Sequence, residues 1–89
     1  MPFSGLTLLA KISFQGLPLH LRKHIEDRVR DRNISAADLV KLQRWLALEP
    51  EAPKGNWFKN FGTFKLCGTA EMPKTILLPD MIAHGGEIQ

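Results

Sequence analysis

"RNISAADLVKLQRWLALEP", residues 32 to 50, contains the strongest local signal in the chain. Ser35-Ala36-Ala37-Asp38 places a hydroxyl at a helix N-cap and a carboxylate three residues on, the spacing of a capping box. Ile34 before the cap and Leu39 after it are placed to close a hydrophobic staple. Leu39, Leu42 and Leu46 then fall on one side, with Trp45 beside them. Glu49 precedes Pro50, and a residue before proline disfavours helical backbone, so the helix is expected to end near Leu48. The reading is a helix from Ser35 to about Leu48, entered through a tight turn at Asn33, a residue that tolerates a left-handed conformation.

A helix begun so sharply needs a partner just upstream, and the sequence supplies one. Leu21, Ile25 and Val29 form an apolar stripe at i, i+4, i+8, which predicts a helix from about Pro18 to Asp31. Further upstream the period changes to two. Leu8, Ala10, Ile12 and Phe14 alternate with Leu9, Lys11 and Ser13, which predicts a strand over 6–14. Downstream, "EPEAPKG" (49–55) reads as a linker, and the rest reads as sheet. "TFKLC" (63–67) alternates between Gly62 and Gly68, "GNWFKNF" is a shorter partner turning at Asn60 to Gly62, and "TAEMPK" is a turn. "TILL" (75–78) is a further strand, and "AHGGEI" supplies a last short strand or an ordered tail.

Strand, helix, helix, then two to four strands describes one α+β domain over residues 1–89. Its two layers are a helix hairpin and an antiparallel sheet. With 44% hydrophobic and 24% charged residues the chain is of folded type, and a net charge of +3 permits an anionic partner without requiring one. The lone Cys67 excludes an intrachain disulfide, no Cys/His spacing reads as a metal site, and a reducing cytoplasm is expected. No cofactor motif is present. No apolar run reaches the roughly 20 residues of a membrane helix. "GLTLLAKISF" lacks the basic start and cleavage site of a signal peptide.

Three stretches are candidates for chemistry. The first is "HIEDRVRDRNIS", residues 24 to 35. His24, Arg28 and Arg32 are each four residues apart, so each lies about 40° further round the helix, along the border of the apolar stripe. A residue there has a packed stem and an exposed head. The same stretch also reads as a solvated face of mixed charge, because Glu26, Asp27 and Asp31 alternate with the arginines. The second is the sheet, where Lys54, Lys59, Lys65 and Lys74 accompany Trp57, Phe58, Phe61 and Phe64. Lysines among aromatics suit a nucleic-acid backbone with stacked bases, and equally suit core aromatics with lysines lying over them. The third is "HGGE", in which His84 offers a proton-transfer group beside two permissive glycines.

The pattern H-x3-R-x3-R-x-I-S, carried by His24, Arg28, Arg32, Ile34 and Ser35 with Asp38 following, resembles the leading helix of small bacterial proteins grouped with RelE, ParE and BrnT type toxins. The resemblance covers residues 24 to 39 in motif and the remainder in element order. It implies a RelE-like fold with either metal-independent RNA cleavage or a toxin-like scaffold held by an antitoxin. The resemblance carries over the helix positions alone; in a small ribonuclease read from the residues themselves, His24 is the base or acid, Arg28 and Arg32 clamp phosphate, and Lys65 and His84 supply the sheet side. The segment "NWFKNFGTFKLCG" matches no catalytic signature of those toxins. Two further readings stand beside it. One is RNA binding without cleavage. The other is a non-catalytic module that binds a protein partner or its own copy through an aromatic sheet face presenting Trp57 and Phe58.

Overall fold

The structure, a computed structural model, describes residues 10–89. Helix α1 (Leu19–Asp31) and helix α2 (Ala36–Ala47) precede strands β1 (Asn56–Asn60), β2 (Lys65–Thr69), β3 (Met72–Leu77) and β4 (Gly86–Ile88). The α+β class is as expected. No helix of the described residues is long and apolar enough to cross a membrane.

The turn between the helices forms as its residues dictate. Asn33 adopts φ 53°, the Ile34 amide donates to the Val29 carbonyl and the Asn33 amide to the Arg30 carbonyl. Those two bonds make a Schellman termination, which satisfies carbonyls that the helix end would otherwise leave bare. Ser35 then receives the Asp38 amide on its hydroxyl at 3.1 Å, while the Asp38 carboxylate receives the Ser35 amide at 3.3 Å. α2 closes in a similar manner, with Glu49 at φ 52° and its amide donating to the Leu46 carbonyl, directly before Pro50.

The expected strand over 6–14 lies partly outside the described residues, of which residues 6–9 are not a part. Residues 10–14 form no strand of their own. Lys11 makes one antiparallel bridge to Glu51, flanked by Ile12 and Ala52 amides donating to the Pro50 and Ala10 carbonyls. Ile12 is buried and Lys11 exposed, but Ala10 is exposed and Ser13 and Phe14 are both half-buried, so the alternation holds only at Lys11 and Ile12.

The sheet order is β3-β2-β1-β4. β1, β2 and β3 form an antiparallel meander, but β4 runs parallel to β1, so the sheet is mixed rather than antiparallel throughout. The reason is geometric. β3 ends beside Lys65, at the Asn60 end of the sheet, whereas β4 begins beside Trp57, so the connection carries the chain to the opposite end and β4 re-enters in the direction of β1 and β3. β2 runs two residues later than "TFKLC" suggested, and Gly68 lies inside it. β3 starts at Met72, within the stretch read as a turn. Pro73 is tolerated there because β3 is an edge strand and the ladder is irregular at Cys67/Gly68.

Alternation divides the sheet into two faces. Trp57, Leu66 and Ile76 point to the helices and are fully buried, with Phe64 beside them and Ile12, Ile25 and Leu42 above. Phe58, Lys65, Cys67 and Thr75 point the other way and are half-buried. On the core side Phe61 stacks on Phe64 with ring centroids 4.7 Å apart, and meets Trp45 edge-on at 5.6 Å. Trp57 places its ring over Gly68, where any Cβ would collide with the indole and with the Met72 carbonyl, and its Nε1 donates to the Ala70 carbonyl at 2.7 Å. A glycine in mid-strand is thus the condition for the largest buried side chain.

Candidate functional site

α1 lies against β3, the strand at the sheet edge. Its apolar stripe faces the core, which turns the border residues toward the rim of the sheet. His24 Nε2 hydrogen-bonds Thr75 Oγ1 at 3.1 Å. Arg32 donates from Nη1 to the Ile76 carbonyl at 2.7 Å, and the same nitrogen lies 3.3 Å from the Met81 sulfur. An edge strand presents unpaired carbonyls, and a guanidinium is well suited to cover one.

Lys65 approaches the same corner from the sheet. It sits on the outer face, and its Nζ donates to the Met81 carbonyl at 2.8 Å. Arg32 and Lys65 therefore meet at one residue, from a helix and a strand far apart in sequence. Arg32 reaches Met81 from the helix side and Lys65 reaches it from the outer face, so the β3–β4 connection begins at the rim of the sheet. Met81 was not a sequence candidate. Thr75, inside a stretch read as a strand, was not one either. Nothing in the local pattern of either residue marks a contact made across 16 to 51 positions.

Arg28 takes an intermediate position. Its Nη2 donates to Asp31 at 2.9 Å, while its Nε is buried and has no partner among the described residues. The outward side of α1 is a charged surface closed on itself. Arg30 donates to Asp27 at 2.8 Å, with Lys23 4.0 Å from the same carboxylate. The Arg30 hydrogen bond holds the Asp27 carboxyl below its usual value. The helix thus carries both readings of "HIEDRVRDRNIS": a solvated face on Lys23, Asp27 and Arg30, and a seam with β3 on His24 and Arg32.

His84 is not brought to this seam. Gly85, its neighbour, sits at φ 98° with its Cα pressed against the Asn56 backbone, where a Cβ would collide. Asn56 and Lys65 belong to opposite ends of the sheet, since Lys65 pairs with Asn60. Four residues of strand separate those ends, about 13 Å. The imidazole is exposed on the approach to β4, the edge strand away from α1.

Cys67 faces outward between Phe58 and Thr75 in the ladder. Burial pushes its thiol up, against a smaller opposing pull from the Lys65 charge, so it stays protonated at neutral pH and is a poor nucleophile. Of the aromatics expected on an open face, Trp57 is in the core and only Phe58 is on the outer side. Comparison of the chain with family models, with curated proteins and with solved structures finds no match.

Proposed function

We propose that this domain binds the RNA backbone along the seam between α1 and β3, on a RelE-like scaffold of the bacterial toxin type. The observation that carries the reading is the meeting of Arg32 and Lys65 at Met81. It supplies two cations from different elements at one corner, with Arg28 and His24 following along the same helix border. Backbone phosphates are bound by such arrays of Arg and Lys, and guanidinium groups read them through paired donors.

Binding is favoured over cleavage. Metal-independent cleavage needs one group to take the 2′-hydroxyl proton and a second to give one to the leaving oxygen. His24 is suited to one of these tasks. His84, expected on the sheet side, sits at the far end. The working form is therefore an RNA-binding domain in a reducing cytoplasm, held in check by an antitoxin-like protein or by its own copy. The aromatic docking face loses its main anchor, because Trp57 is inside.

The test is fluorescence anisotropy with a labelled single-stranded RNA over a range of salt. Wild-type affinity should fall with log salt at a slope of about −0.7 per phosphate held. Lys65→Gln and Arg28→Gln should each weaken binding and reduce that slope by about one phosphate. Circular dichroism of each variant checks that it is folded. Absence of salt-dependent RNA binding by the wild type overturns the proposal. Cleavage in EDTA that disappears in a folded His24→Ala variant would replace binding by a ribonuclease.

A further inference from the structure

A concave feature lies on the other flank of α1, away from His24 and Arg28. Val29 of α1 faces Leu39 of α2 across a cleft of about 530 Å³, with the buried Ile25, Leu42 and Ile76 beneath it. The size falls within the roughly 300–1,000 Å³ of small-ligand sites, which are mostly apolar with a few polar groups fixing orientation. Gln15 and Arg22 stand at the end where α1 begins, beside Phe14. Arg22 is drawn toward that end by a 3.2 Å bond from Nη2 to the Phe14 carbonyl, a bond that uses one of its five donors. From Arg22 to Val29 the helix advances about 10 Å, with Ile25 and Val29 on the cleft wall. Glu26 reaches the rim one turn further on, beside the apolar section rather than at the polar end.

We propose that this cleft binds a single-chain amphiphile with an anionic head, a medium-chain carboxylate being the simplest. The carboxylate is held by Arg22 and Gln15, and the chain lies between the helices against Val29 and Leu39. The charge distribution selects this occupant. A cationic head at the same end would meet Arg22, and a wholly polar ligand would leave its groups unpaired against leucine and isoleucine.

Isothermal titration at pH 7.5 with sodium decanoate, kept below its micellar concentration, tests this. One equivalent should bind. Arg22→Gln should weaken decanoate roughly tenfold, the loss of one charge-assisted contact, and leave decan-1-ol unchanged. Val29→Phe, which fills the far end, should weaken both. Arg22 is exposed, so its variant keeps the fold, and thermal unfolding checks the other. No binding of decanoate overturns the proposal. So does decylammonium binding as tightly as decanoate, or an Arg22→Gln variant that binds decanoate like the wild type.

Discussion

The two faces of one sheet show how differently the same strands are used. On the helix side, Trp57, Leu66 and Ile76 are fully buried, and the contacts are dispersion and aromatic packing. On the outer side, the residues next to them in sequence, Phe58, Lys65 and Thr75, are half-buried, and each polar one has a specific partner. The first face supplies stability through area removed from water. The second exposes donors to whatever approaches, and its tie to Met81 is worth little net energy because the same groups are well satisfied by solvent. One residue's shift along a strand exchanges these roles.

The most direct way to break this contrast is at adjacent positions. Trp57→Ala should cost about 3–5 kcal/mol, and Phe58→Ala only about 1 kcal/mol. Urea denaturation of both variants measures it, and equal losses would mean that the faces are not distinct. A smaller effect of the same kind is expected one strand over. Gly68→Ala forces a methyl against the Trp57 indole and should cost about 1–3 kcal/mol, whereas Cys67→Ala on the outer side should change the urea midpoint much less. A neutral Gly68→Ala would show that the indole moves freely.

The smallest effect at neutral pH concerns charge. Asp38 is the buried acid on the helix side. The Thr63 hydroxyl, donating to it at 2.6 Å, together with the Ser35 amide holds its carboxyl below the usual value of 3.8. A carboxyl lowered in the folded state adds stability that is present above the unfolded value and lost as pH falls through the folded one. The wild type should therefore lose stability as pH drops below about 4. Asp38→Asn, which cannot titrate, should show a flatter acid limb in thermal unfolding between pH 5 and pH 2. An unchanged acid limb would place the acid sensitivity elsewhere.

Legibility in the sequence followed the range of the interactions. The helix turn at Asn33-Ile34-Ser35 and the cap at Asp38 depend on bonds within five residues, and both formed where the sequence placed them. The stripe of Leu21, Ile25 and Val29 put His24 and Arg32 on a border, and that is where they are. What the border would meet was not legible. Thr75 and Met81 carry no local mark, and His84 looked as good a partner for the seam as Lys65. The direction of β4 was hidden for the same reason. A strand of three residues has too little pattern to choose between parallel and antiparallel neighbours, and the choice belongs to the crossover that leads to it.

By itself the sequence determined the α+β class, the two helices with the capped turn between them, and the apolar stripe by which each helix turns inward. These rest on backbone sterics, capping hydrogen bonds and hydrophobic period, all of which act within a few residues. Only the tertiary structure decided that Lys65 and Arg32 share Met81, that His84 stands apart, that β4 lies parallel to β1, and that an apolar cleft with a polar end opens between the helices. Each of these is a relation between elements distant in the chain, and such relations are set by how whole faces pack rather than by any residue's neighbours in sequence.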